Sequence, residues 1–145
     1  MARIAVPVLT SLALGAALAL PLGAHADAPG PTVVNGHKVL TLVSRDPPGV
    51  RCNNNIQVAA EIANIYKIPV QVIPVSLAGP GAKAPAVYYG TELIAVDGGA
   101  FNGMVSYAMV EGVLEVEDVP KQATKGRLMD VKADHDRLKN AIKSP

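Results

Sequence analysis

Between Val39 and Val75 the chain spells strand, helix, strand, and that order limits the folds open to it. Val39 to Val43 has the length and β-branched content of a buried strand. Asn53 to Lys67 carries helical periodicity, and Val70 to Val75 is a second strand whose interruption at Pro74 suits a strand end. Two such strands with a helix between them give a sheet with the helix packed on it. Cys52, the only cysteine, stands where the first strand pattern gives way to the helix. A sulfur there meets unpaired backbone N–H groups and the positive end of the helix dipole, and both favour thiolate over thiol. A single cysteine also rules out an intramolecular disulfide, so packing must hold the fold. With no tryptophan and one phenylalanine, alanine, valine, leucine and isoleucine must build that core.

The chain opens with the three parts of an export signal. Arg3 supplies the positive region, Ile4 to Leu20 is apolar, and Ala24-His25-Ala26 is a small-x-small cleavage site. Pro7 and Pro21 break the apolar run, and no later stretch approaches the ~20 residues of a spanning helix. Residues 1–26 are therefore expected to be removed, leaving no stable membrane anchor and a periplasmic or secreted mature chain. Removing 26 of the 145 residues leaves 119, which suits one compact domain. The mature charges balance at 12 basic and 12 acidic, which argues against nucleic acid as the main partner, because such binding rests on neutralising phosphates. They are unevenly spread: residues 27–119 carry five basic and nine acidic side chains, and residues 120–145 carry seven and three. The basic tail is expected to fold back on the acidic body or to reach an acidic partner.

Asp27 to Pro31 is a Pro/Gly-rich lead-in, expected to be mobile. Thr32 to Val34, Asn35-Gly36 and His37 to Val43 predict a β-hairpin, since Asn-Gly supplies the two positive φ angles of a type I′ turn. A loop containing Pro47-Pro48-Gly49 leads to the helix, which one of Asn53, Asn54 and Asn55 is expected to cap. Gln57, Glu61 and Asn64 form its wet polar stripe. Ser76 to Ala84 is a Gly/Pro loop, and Ala86 to Tyr89, Gly90-Thr91 and Glu92 to Val96 predict a second hairpin. Asp97-Gly98-Gly99 is a helix-leading turn and lacks the following residues of a phosphate loop. A helix from Phe101 to Leu114 then puts Phe101, Met104, Val105, Ala108, Met109 and Gly112 on one face. From Lys121 to Lys143, Leu128, Val131, His135, Leu138 and Ile142 recur at three-and-four spacing and predict an amphipathic helix. Residues 27–119 thus form one domain with residues 120–145 appended as a basic helix. The order β–β–α–β–β–β–α–α is that of an α/β sandwich with a mixed sheet.

This order resembles the thioredoxin-like fold. The resemblance runs from Val39–Val43 through Cys52, the helix to Lys67, Val70–Val75, Ala84-Pro85-Ala86, the hairpin to Val96 and the helix Phe101–Leu114. In that family a cysteine opens the first helix, and a proline before the third strand takes a cis peptide beside the sulfur. The resemblance gives those places to Cys52 and Pro85. It implies that backbone groups at Ala84 and Pro85 dock a partner protein or peptide by strand addition. The family's redox pair is C-x-x-C, whereas this chain reads Cys52-Asn53-Asn54-Asn55, so the second sulfur is missing. The loop before Cys52 is also longer than in the family, and the helix between the second and third core strands is absent, as in compact glutaredoxin-like forms.

Three roles fit Cys52. In monothiol exchange it attacks a disulfide and an external thiol such as glutathione releases it. Arg51 would then stabilise the thiolate, and Asn54 or Asn55 would donate hydrogen bonds to it. As a small buried apolar residue it has no chemistry. As an odd cysteine in an exported protein it pairs two chains into a homodimer. The missing second thiol favours a non-catalytic or weakly redox-active binding or assembly protein, and no cofactor is called for. A further alternative places soft copper on Cys52, Met104, Met109 and His37. No two of these stand at a ligand spacing, so no metal site is assigned, and the methionines suit core filling. His37 follows a turn and is expected to be solvated, His135 lies on the tail seam, and Glu61 sits where carboxylates are usually solvated.

Overall fold

A computed structural model describes residues 27–124 and 131–143. The export signal expected over residues 1–26, Leu128 of the tail, and the side chains of His135, Leu138 and Ile142 lie outside the described residues. Strands β1 (Val33–Val34) and β2 (His37–Lys38) form the N-terminal hairpin, with Val33 opposite Lys38 and Val34 opposite His37. Asn35 and Gly36 take φ of 50° and 80°, the two left-handed residues this turn requires. The second arm does not continue to Val43. It stops at Lys38, and β3 (Leu40–Ser44) begins in a separate sheet. Val39 is where the chain changes partner: its N–H bonds the Thr32 carbonyl at 3.0 Å and its carbonyl accepts from Gly90 N–H at 2.9 Å.

The main sheet has the order β4-β3-β5-β6, with β4 at Val70–Pro74, β5 at Ala86–Tyr89 and β6 at Glu92–Val96. Helix α1 (Val50–Tyr66) crosses over between β3 and the parallel β4, while β5 is antiparallel to both β3 and β6. β3 and β5 are buried throughout because they are central and covered on both faces. Leu40, Leu42, Val87 and Tyr89 face α1 and helix α2 (Tyr107–Val116), where Ile62, Val110 and Leu114 are fully buried. Val43, Ala86 and Tyr88 pack on the opposite face. The β5–β6 register slips between Val87 and Tyr88, and this irregularity lets Leu93 and Val96 both pack there. The molecule is therefore an α/β fold with a mixed four-stranded sheet, an N-terminal hairpin and flanking helices, compatible with a thioredoxin-like fold. Among the described residues no helix is long and apolar enough to cross a membrane.

Several boundaries differ from the sequence expectation, each for a physical reason. α1 starts at Val50 behind an N-cap of Gly49, so the three asparagines lie inside the helix and none caps it. Its polar stripe is only partly wet, because Gln57 is exposed while Asn64 is buried with Nδ2 making no hydrogen bond. The lead-in is tied down rather than loose. Gln71 donates to the carbonyls of Pro29 at 3.3 Å and Pro31 at 3.0 Å, its amide lies 2.6 Å from the Thr41 hydroxyl, and Ala28 packs on the second-face cluster. The second helix starts at Tyr107, where the Ser106 hydroxyl caps it by accepting from Met109 N–H at 3.3 Å. Before it, Phe101 and Asn102 hold φ of 60° and 49° in a 3-10 turn over Ala100–Gly103, so Phe101 and Met104 leave the helix face and are exposed. The buried residues of α2 are Val110 and Leu114. In the tail, helix α3 spans Lys132–Lys143, leaving 121–124 non-helical and Val131 exposed before it. The reason is upstream: Asp118 turns at φ 54°, and Gln122 N–H bonds the Ile65 carbonyl of α1 at 2.9 Å.

Candidate functional site

Cys52 is the third residue of α1, one position before a helical N–H finds its own partner. Its sulfur turns back over the helix start, where Arg45 N–H reaches Sγ at 3.3 Å and the Gly49 N–H and Ser44 hydroxyl lie close enough to bear on the thiol. Burial pushes the thiol up, but these donors and the Arg45 guanidinium outweigh it and hold Cys52 below its ordinary range. The residue is 3% exposed and lines a cavity of about 150 Å³ with Arg45, Gly49, Val50, Arg51 and Pro85.

Pro85 closes the far side of that cavity, one residue before β5, and the Ala84–Pro85 peptide is cis. Both carbonyls of this step are engaged. Arg45 Nε donates to the Ala84 carbonyl at 2.9 Å, and Asp97 N–H donates to the Pro85 carbonyl at 2.9 Å. The 3-10 turn presses on the same place. A Cβ on Gly103 would stand 2.2 Å from the Pro85 oxygen, and φ there is +73°, so only glycine fits.

The sequence-predicted helpers of the sulfur are placed elsewhere. Arg51 shares the cavity, but its Nη1 binds Asp97 Oδ1 at 2.7 Å and the Asn102 carbonyl, and it is Arg45 that acts on the thiol. Asn55 is buried and its bonds go to other residues than Cys52. Its Nδ2 donates to the Gly103 carbonyl at 2.8 Å, and its Oδ1 accepts from Val105 N–H at 3.0 Å. The carboxamide thus pairs with residues 103 and 105 as a peptide unit of a neighbouring strand would. Asn54 adds a bond from Nδ2 to the Val105 carbonyl at 2.7 Å. Asn54 and Asn55 thus staple α1 to the segment leading to α2.

Asp97 collects both guanidiniums, with Arg45 Nη2 at 3.1 Å and Arg51 Nη1 at 2.7 Å. The bond from Arg51 and the charge of Arg45 hold its carboxyl below the usual range, against a smaller desolvation effect. Ser44, Arg45, Asp97 and Gly103 therefore complete the site, and none was singled out for it from sequence. One signal was available: Arg45 and Asp97 are the first residues past the C-terminal ends of β3 and β6, which run in the same direction.

Of the proposed soft ligands, only Cys52 lines this cavity. Met109 lines a separate groove of about 380 Å³ with Glu92, Gly112, Val113, Val116 and Glu117, and His37 sits exposed on the hairpin. Among the described residues no group of three or more His, Cys, Asp or Glu side chains is placed to hold a metal ion. Glu61 is half-buried on α1 and lies near Lys132. No protein-family model, curated protein or solved structure matches this chain.

Proposed function

We propose that this chain is an exported, thioredoxin-like binding or assembly protein that holds an extended partner segment near Ala84 and Pro85 and has at most weak redox activity. The observation that carries this reading is Asn55. It stands where the resolving cysteine of a C-x-x-C pair would be, and both ends of its carboxamide are committed to the backbone of residues 103 and 105. Without a second thiol, Cys52 cannot resolve a mixed disulfide within the chain. The docking side is supported by the cavity beside Pro85 and by the rim around it. Val50 is exposed there, and Phe101, the only phenylalanine, is 67% exposed beside the Asn102 carbonyl that holds Arg51. Exposed apolar side chains at Val50 and Phe101 would offer such a segment apolar contact.

The donors on the sulfur favour a second reading. A thiol held below its ordinary range is a better nucleophile at neutral pH. In that chemistry the Cys52 thiolate attacks a disulfide, forms a mixed disulfide and releases one thiolate. A glutathione thiolate then attacks the mixed disulfide and frees Cys52. The buried sulfur speaks against a covalent homodimer through Cys52, which non-reducing electrophoresis would reveal as a doubled mass.

One experiment separates the two readings. The purified mature chain is mixed with glutathione disulfide at neutral pH and the mixed disulfide is followed by intact mass. A binding protein with a sheltered sulfur should react at least about tenfold more slowly than a free cysteine peptide, because access limits a buried thiol. A rate equal to or above that of the peptide would overturn this reading in favour of monothiol exchange.

A further inference from the structure

Two arginines converge on one carboxylate beside the sulfur. Arg45 reaches Asp97 Oδ2 at 3.1 Å and Arg51 reaches Oδ1 at 2.7 Å. The same guanidiniums hold backbone on either side, Arg45 Nε on the Ala84 carbonyl at 2.9 Å and Arg51 on the Asn102 carbonyl. The ion-pair side chains are 49%, 34% and 33% exposed, for Arg45, Arg51 and Asp97 in turn, yet Cys52 is only 3% exposed. Both arginines line the cavity onto which Cys52 opens.

We infer that Asp97, Arg45 and Arg51 form an ionic latch that closes the Cys52 cavity in the resting protein, and that an incoming extended chain must displace it. The latch rests on the proposed docking near Ala84 and Pro85 and adds its regulation. A chain adding to the strand end would place an N–H on the Ala84 carbonyl. Arg45 Nε already occupies that acceptor, so it acts as the molecule's own stand-in for a partner's N–H. The two arms are coupled through one carboxylate, so neutralising Asp97 removes the ion pair from both and leaves each arginine only its backbone carbonyl. Ion pairs this exposed are individually weak and screened by salt, which makes the closed state easy to leave. Asp97 is thus a positioning residue that acts on Cys52 through Arg45.

Alkylation of the mature chain by iodoacetamide, a small neutral probe, tests the latch. The pH is set high enough to ionise the thiol in every protein compared, so that the rate reports access. D97N should react about 3- to 10-fold faster than wild type at low salt, the range expected from losing two exposed ion pairs. Wild type should approach the D97N rate as salt rises to about 0.5 M, while D97N stays flat. D97E should restore slow reaction. Repeating the assay in sub-denaturing urea separates latch opening from global unfolding, because only the latter carries the steep urea slope of the whole fold. Equal rates for D97N and wild type, a wild-type rate flat in salt, or a D97N rate with the full unfolding slope would each overturn the latch. The latch is read from ratios between variants and salts, whereas the binding reading is judged by the wild-type rate against a free peptide, so the two fail separately.

Discussion

On the helix-covered face of the sheet, Leu40, Leu42, Val87 and Tyr89 meet Ile62, Val110 and Leu114. On the opposite face, Val43, Ala86 and Tyr88 meet Ala28, Val75 and Ala78, which belong to the lead-in and to the chain after β4. The difference lies in how each cover treats its own backbone. A helix satisfies its N–H and C=O groups internally, so it can present large aliphatic side chains to the sheet. Irregular chain brings carbonyls that need outside donors, and here Gln71 serves Pro29 and Pro31 while bonding Thr41 within the sheet. The first face is held by volume and the second by small residues and a polar staple. One face of a sheet can therefore be covered without a helix if a strand residue ties a short strap across it.

Three changes would break or sharpen this contrast. The largest effect belongs to the helix face: Leu114→Ala leaves a void at a fully buried position and should cost about 2–5 kcal/mol in urea denaturation. A loss below ~1 kcal/mol would mean that this face is not held by tight packing. On the strap face, Gln71→Leu removes the hydrogen bonds to Pro29, Pro31 and Thr41 and should cost about 1–3 kcal/mol. Limited proteolysis should then cut residues 27–31 well before the body unfolds. If the lead-in of this variant resists protease like wild type, the staple does not hold the strap.

The smallest effect is spectroscopic. Burial, reinforced by the Glu111 charge, pushes Tyr107 up to about 12, and burial raises Tyr88 on the other face. An unfolded chain ionises its tyrosines near ~10, so above that pH it loses protons that the folded chain keeps. Stability is thus unaffected by these groups below pH ~10 and falls as pH rises toward ~12. Glu111→Gln should bring forward the latest step of the ultraviolet titration and leave the Tyr88 step in place. A single step near ~10 in the folded protein would contradict burial of both rings.

Much of the fold was legible because its signals are local. The hairpin over Ala86–Tyr89 and Glu92–Val96 is where alternation and Gly90-Thr91 place it, and Asn35-Gly36 turns as its φ preferences demand. The second helix was misplaced because the apolar period extends back to Phe101 although the backbone cannot. Gly103 must pass within contact of the Pro85 carbonyl, and the turn that brings it there holds Phe101 and Asn102 in left-handed conformations. Tertiary approach overrode the pattern. The site divides the same way: Cys52 and Pro85 were legible as neighbours of a helix start and a strand start, while Arg51 and Asn55 were credited with contacts that Arg45 and the backbone of residues 103–105 take.

The sequence alone determined roughly where most of the strands and helices fall, and that one sulfur stands at the mouth of α1. These follow from period, turn conformation and chain order, all properties of near neighbours along the chain. Only the tertiary structure decided what that sulfur meets. Its N–H donor at Arg45 lies seven residues back, Arg45's carbonyl and carboxylate partners lie 39 and 52 residues ahead, and Asn55's partners lie 48 and 50 residues on. Hydrogen bonds and ion pairs depend on distances of about 3 Å in space, and no periodicity in sequence encodes which distant groups will come that close.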